Sequence, residues 1–221
     1  MSSDYHQPGS DKREPPGLRR AFTLGKGRFE AFSDGVFAIA ITLLILEIHL
    51  PSSAFGGSGD RAQVHALLSI WPQYLVYVAS FATIGIMWLN HHALFHNAIR
   101  ITHGTMVANL LLLLLVSFLP FPTAVLGQAG ITRVAVVYYG LTLTLISIAY
   151  TLVYNEVLRA HGASRRAFTA WNVVGLTVYP VATVIGALLP IAGLIAYIAL
   201  AGFYLMPRNV SSIVLPASEV P

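Results

Sequence analysis

Two carboxylates bracket the first long apolar segment of the chain. Asp34 and Glu47 lie thirteen residues apart in FSDGVFAIAITLLILE, which is about 20 Å along a helix axis. The apolar stretch between them is too short to cross a hydrocarbon core of roughly 30 Å by itself. Because a charge that faces lipid is costly, acids at such depths usually face a protein interior or a water-filled path. The pair indicates either an ion pathway or the two ends of a short membrane span.

One face of this segment has the spacing of a helical stripe. Ile39, Thr42, Leu43 and Leu46 lie at i, i+3, i+4 and i+7, and Glu47 follows them. If several copies surrounded an axis, the stripe would form stacked rings of isoleucine, threonine and leucine below a mouth of glutamates. Rings of acid attract cations, and apolar constrictions gate by excluding water. Such a stripe is also ordinary packing, so the residues alone leave both interpretations open.

A second polar cluster, WLNHHALFHN, contains Trp88, Asn90, His91, His92 and His96. His92 and His96 are four residues apart and could share a metal ion, but neither a third ligand nor an HExxH pattern accompanies them. We therefore predict no structural metal site. The cluster is better explained as a set of partners for a buried aspartate, which needs hydrogen-bond donors.

Three groups could donate to Asp34: the Trp88 indole, an imidazole and the Arg28 guanidinium. Trp88 and His91 are three residues apart and share a helix face. They are our preferred partners for Asp34.

The composition indicates an integral membrane protein. Of 221 residues, 56% are hydrophobic and 10% are charged, and the mean hydropathy is +0.69. The chain has no cysteine, which excludes disulfides and thiol catalysis. It also has no GxGxxG, P-loop, DxDxDG or TVGYG motif. No motif therefore supports an enzyme, a nucleotide site or a carbonyl filter for potassium.

Apolar runs between charges and turn signals predict an all-α fold with six membrane spans. The expected domain is 30–207, preceded by a disordered cytoplasmic tail, 1–29, and followed by a cytoplasmic tail, 208–221. The predicted spans are approximately 30–50, 67–97, 104–126, 132–158, 166–189 and 191–206.

The distribution of basic residues predicts the orientation. With six spans, eleven of the 13 Lys and Arg residues fall on one side and two on the other. The positive-inside rule places the richer side, and both termini, in the cytoplasm. The location of these charges explains the net charge of +4 without nucleic acid.

The stretch RFEAFSDGVFAIAITLLILE resembles the bacterial branch of the transmembrane protein 175 family, the lysosomal potassium channel family of animals. The Arg, the FSD triplet, Ala-Ile, and TLL followed by a hydrophobic residue, Leu and Glu have the family's spacing. Trp88, Asn90 and the His91–His92 pair look like the family's second-helix motif.

This resemblance implies a homotetramer of six-helix subunits in a bacterial plasma membrane, whose first helices line a central pore. The pore would conduct potassium in preference to sodium, passively and without a carbonyl filter. No cofactor is implied, only transient potassium and other monovalent cations in the pore and lipid around the protein. Ile39, Leu43 and Leu46 would form successive hydrophobic constrictions, with Thr42 as a polar layer and Glu47 at the outer vestibule.

The resemblance also implies an inter-helix network that holds the pore helix without contacting ions. Its expected members are Arg28, Phe32, Ser33, Asp34, Trp88, Asn90, His91 and His92.

Two other functional classes compete with the channel. A proton-coupled secondary transporter could use Asp34 and the histidines, because intramembrane titratable clusters serve as proton relays. A membrane hydrolase could use His92 and His96, but it lacks a nucleophile or a third ligand near them. We therefore expect a protein that is not an enzyme.

Overall fold

The computed structural model describes residues 25–50, 59–160 and 170–204, and all regular structure in these ranges is helical. The predicted tails lie outside the described residues, except for residues 25–29, where the first helix begins. In chain order the helices are α1 (Lys26–Leu43), extended by a 3₁₀ turn (Leu44–Glu47), α2 (Asp60–Ser69), α3 (Trp71–His96), α4 (His103–Phe118), α5 (Pro120–Ala129), α6 (Arg133–Ala160), α7 (Ala170–Leu188) and α8 (Pro190–Tyr204).

Four helical segments are long and apolar enough to cross a membrane, against the six spans that the sequence predicts. They contain 22, 26, 27 and 28 residues. Two shorter apolar helices, Gly175–Leu188 and Pro190–Phe203, correspond to the last two predicted spans. The four long segments are Lys26–Glu47, Trp71–His96, His103–Ala129 and Arg133–Ala160.

The first helix begins and ends earlier than the predicted span, 30–50. It begins at Lys26, whose Nζ donates to the carbonyl oxygens of His96, the last residue of α3, and of Ala98, just beyond it, at 2.9 Å each. Its outer end tightens into the 3₁₀ turn, and the chain is extended at Ile48. The backbone N–H of His49 then donates to Gln73 Oε1 at 2.8 Å instead of a helical carbonyl. Contacts with α3 therefore fix both ends of the segment.

The predicted second and third spans, 67–97 and 104–126, are each interrupted at one residue. The helix breaks at Ile70, and Pro72 occupies the first turn of α3, where its missing N–H costs nothing. A second break lies at Leu119, because Pro120 has no N–H to donate to the carbonyl of Val116. That carbonyl accepts from Leu119 N at 3.1 Å instead. A proline near one end thus divides each of these two predicted spans into two helices.

The helices pack in two groups, one around α1 and one around α6, and α4 belongs to both. The first helix packs against α3 and α4, while α6 packs against α4, α5, α7 and α8. Buried hydrophobic side chains from α1, α3, α4, α6, α7 and α8 join in one core cluster. Many large apolar side chains on the outer faces remain exposed, as expected for surfaces that face lipid or other copies.

Two glycines allow α7 and α8 to form a close hairpin around Leu189. A Cβ added at Gly193 would collide with the Cα of Gly186, and it would lie 3.2 Å from Val136 Cγ1 on α6. Small residues at such crossings let helix backbones touch and gain dispersion energy. The hairpin is therefore sensitive to the size of residue 193.

We expect Gly193→Val to separate α7 from α8 and to destabilise the fold by about 2 kcal/mol through overpacking. The measurement is the melting temperature in detergent, followed by tryptophan fluorescence. Gly202→Val is the matched control, because a Cβ at Gly202 meets nothing within 4 Å on the same helix. Equal melting temperatures for the two variants would contradict the proposed hairpin packing.

Candidate ion pathway and its supporting network

The first helix has one buried and one exposed face. Its buried face repeats at helical spacing and packs into the bundle, with Phe29, Ser33, Phe37, Ala40 and Leu44 as its residues. On the opposite face Ile39 is 60% exposed, Leu43 39% and Leu46 66%, and Thr42 is also exposed. The candidate pore residues therefore form one continuous stripe that the single chain does not cover.

The hydroxyl of Thr42 turns its hydrogen toward its own helix. Thr42 Oγ1 lies 3.0 Å from the carbonyl oxygen of Ala38 and 2.9 Å from that of Ile39, and it donates to them. Back-bonding of this kind is common for threonine within helices. The oxygen lone pairs are then left to face outward, so Thr42 presents an acceptor within an otherwise apolar stripe.

The 3₁₀ turn aligns the outer end of the stripe. In 3₁₀ geometry, side chains at i and i+3 eclipse one another, so Leu46 lies above Leu43 along the axis. Glu47 ends the turn and is half-buried. Its carbonyl oxygen lies 2.9 Å from Nδ1 of His49. Glu47 therefore follows the apolar stripe directly, and its contact with His49 is made by the backbone carbonyl.

Asp34 makes one of the contacts proposed from the sequence. Trp88 Nε1 donates to Asp34 Oδ1 at 2.8 Å, which joins α1 to α3. The ring of His92 lies against the Trp88 indole, with centroids 5.8 Å apart. Charge-assisted hydrogen bonds to a carboxylate are stronger than neutral ones, so this contact orients α1 about its own axis.

The expectation that His91 donates to Asp34 is wrong. His91 Nε2 bonds instead to Asn109 Oδ1 on α4, at 2.8 Å. Asn109 Nδ2 donates to Ser33 Oγ at 2.9 Å, and Ser33 Oγ donates to the carbonyl of Phe29 at 3.1 Å. Because the hydrogen of Ser33 is committed to Phe29, the amide must donate to Ser33, and its oxygen must accept from His91.

These three polar side chains are almost completely buried. Ser33 is 0% exposed, and His91 and Asn109 are 1% exposed. The imidazole also packs against Phe37 and Phe95, with ring centroids 5.2 and 4.6 Å away. The polar atoms in this chain of bonds are therefore satisfied mainly by one another.

Sequence reasoning missed Asn109, which completes this network. The signal was present, because Asn109 is a lone amide in MVANLLLLLLV, and polar residues inside apolar helices usually face a bundle interior. Three other predicted members take no part in the hydrogen-bond network of the described ranges. Arg28 and Phe32 are exposed, and Asn90 is half-buried without a side-chain hydrogen bond.

No metal centre forms in the described part of the chain. Within residues 25–50, 59–160 and 170–204, no three His, Asp or Glu side chains are grouped as metal ligands. His92 and His96 lie with ring centroids 6.3 Å apart on an exposed face. A hydrolase centred on this pair would therefore lack its third ligand.

We expect Asn109→Leu to destabilise the protein by about 2 kcal/mol or more, because it leaves His91 and Ser33 buried without their partners. Thermal unfolding in detergent measures this loss. Asn97→Leu is the matched control, since the exposed amide of Asn97 bonds only to the Ala93 carbonyl of its own helix, at 2.9 Å. A similar melting temperature for both variants would show that the buried network does not hold α1.

Comparison with known proteins identifies the family. A family model described as "Endosomal/lysosomal potassium channel TMEM175" matches residues 28–120, which contain most of α1 and all of α2, α3 and α4. A protein of Chamaesiphon minutus named as a potassium channel is 47% identical over 142 residues. This alignment covers 62% of the present chain and 66% of the relative, slightly less than two thirds of its length.

A mouse protein named as the endosomal/lysosomal proton channel TMEM175 is 42% identical over 115 residues, which cover 48% of this chain and 22% of that protein. The crystal structure of a lysosomal potassium-selective channel TMEM175 homolog from Chamaesiphon minutus is similar at a TM-score of 0.69. That comparison has 39% identity and covers 81% of this chain and 95% of the other. The family and these relatives are ion channels of membranes rather than enzymes. With this identity across nearly the whole of a solved homologue, the chain belongs to the TMEM175 family of ion channels.

Proposed function

We propose that this chain is the subunit of a passive cation channel that conducts potassium in preference to sodium. Four copies surround a central axis, and α1 of each copy lines the pore. The exposed stripe of α1 carries this proposal, because it is a continuous apolar face that ends at an acid and contains one outward acceptor, Thr42. The names of the bacterial relatives support potassium as the permeant ion.

The pore has no carbonyl filter, because the chain lacks a TVGYG loop. Selection therefore takes place at side chains. Ile39, Leu43 and Leu46 form three apolar constrictions, where an ion must shed part of its hydration shell. Potassium holds that shell less tightly than sodium, so the constrictions favour potassium. In a tetramer, the four copies of Thr42 place a ring of four hydroxyl oxygens one turn from the ring of Ile39. The proposal leaves open which of these two rings discriminates potassium from sodium.

Each subunit crosses a bacterial plasma membrane six times, with both termini in the cytoplasm. The four long helical segments and the α7–α8 hairpin supply these crossings. The domain comprises residues 30–207, and the tails 1–29 and 208–221 lie on the cytoplasmic side. Lipid covers the exposed apolar faces that are remote from the pore. The only small-molecule partners are potassium and other monovalent cations.

The arrangement of the polar groups gives little support to a proton-coupled transporter. Such a mechanism needs Asp34 and the histidines in one relay. Asp34 bonds to Trp88, whereas His91 bonds to Asn109, so the two titratable groups belong to separate networks. An indole N–H donates without accepting and does not pass protons onward.

A flux assay separates these functions. Proteoliposomes loaded with potassium chloride are diluted into sodium medium, a protonophore is added, and a pH-sensitive dye is followed. A potassium channel gives quenching that requires both the potassium gradient and the protonophore. Dye movement without protonophore means that the protein itself carries protons, which would contradict the potassium channel and match the name of the mouse relative.

We expect Ile39→Asn to increase sodium flux relative to potassium flux and to move the ratio toward one, because a polar ring lets sodium pass with its water. Leu43→Ala should raise total flux by widening the next constriction. Ile45→Asn is the matched control, since Ile45 is exposed on another face of the same segment. Unchanged selectivity in Ile39→Asn, in protein that still assembles, would exclude this stripe as the selective part of the pore.

A further inference from the structure

One charged side chain on the exposed face of α1 has no role in the network described above. Arg28 precedes Ile39 by eleven residues, which is just over three helical turns, so the two side chains share a face. Phe32, 56% exposed, lies between them on that face. The stripe therefore continues about 16 Å beyond Ile39 and ends at a guanidinium.

The other described basic side chains at this end of the bundle are engaged. Lys26 donates to two carbonyl oxygens at the end of α3, and its Nζ lies 3.8 Å from Glu30 Oε1. Arg100 Nε donates to the carbonyl of Ala160 at 3.2 Å, and Arg159 pairs with Glu156. The Arg28 guanidinium makes no hydrogen bond or ion pair with any residue that the structure describes, while the backbone N–H of Arg28 donates to the Gly25 carbonyl at 2.9 Å.

Among the described residues, no acid pairs with the charge of Arg28. It borders an open cavity of about 380 Å³ between α1 and α4, whose other lining residues carry no charge. The two acids nearby on α1 are occupied elsewhere, because Glu30 pairs with Lys26 and Asp34 accepts from Trp88. The opposite end of the stripe carries Glu47. One face of α1 thus has a positive inner end and a negative outer end.

We infer that Arg28 stands at the cytoplasmic entrance of the pore and makes the conductance asymmetric, favouring inward over outward cation current. This inference rests on the proposed function. Four guanidinium groups around the axis lower the local concentration of potassium at the inner mouth, while four glutamates raise it at the outer mouth. Fewer ions are then available to leave the cytoplasm than to enter it at equal bulk concentrations.

Currents in excised patches of known orientation, with equal potassium chloride on both sides, test this inference. At roughly 0.1 M salt, where the Debye length is about 10 Å, inward current should exceed outward current in the unaltered protein. Arg28→Gln should raise outward current about two-fold and leave inward current nearly unchanged. At about 1 M salt the Debye length falls to roughly 3 Å, and both the asymmetry and the effect of the substitution should disappear.

Arg28→Lys is the matched control, because it keeps the charge and removes the planar guanidinium. Retained asymmetry in this variant supports a field effect, whereas behaviour like that of Arg28→Gln overturns it. Loss of the assembled oligomer in Arg28→Gln would also overturn the inference, since the guanidinium would then bind a neighbouring copy. If no current can be recorded from Arg28→Gln, the unaltered channel still tests the inference. A difference between its inward and outward currents that persists at about 1 M salt contradicts the inference. Absence of any current from the unaltered protein would instead reject the proposed channel.

Discussion

The arrangement of α1 depends on the burial of polar groups that must find partners inside the bundle. Ser33 is fully buried, and its oxygen accepts from Asn109, which in turn accepts from His91. An unpaired polar atom in such a place costs about 1–3 kcal/mol. The bonds form together only at one rotation of α1, with Ser33 directed toward α4. Satisfying this constraint turns the stripe that contains Ile39 away from the bundle.

Both ends of the segment are tied to one partner helix, α3. Lys26 binds the carbonyls of His96 and Ala98 at the C-terminal end of α3, and the backbone N–H of His49 donates to Gln73 near the N-terminal end of α3. Asp34 contacts Trp88 between these points. Contacts at three heights resist both tilting and sliding of α1. The contacts that position α1 within the subunit thus do not use its exposed stripe.

The sequence was informative where a pattern is local. The helical spacing of Ile39, Leu43 and Leu46 identified one face before any contact was known, and the structure leaves that face exposed. The Asp34–Trp88 contact followed from equal membrane depth. Pairing across helices was less predictable, because His91 bonds to Asn109, which lies far along the chain and on a different helix from Asp34. The helix breaks at Ile70 and Leu119 were not predicted. Pro72 and Pro120 each lie in the first turn of a new helix there, and the sequence alone does not show whether a proline begins a new helix or only kinks an existing one.

The last three helices have a different role from α1. Tyr139 on α6 bonds to Ser80 on α3 at 3.1 Å, and Thr123 on α5 donates to Ser80 at 3.0 Å. Tyr197 donates to Thr183 at 3.2 Å across the hairpin. Hydroxyls can donate and accept at once, so such contacts hold helices together without leaving a charge in the core. These helices lie beyond residue 120, where the family match ends. They brace α3, and through α3 they help to position α1.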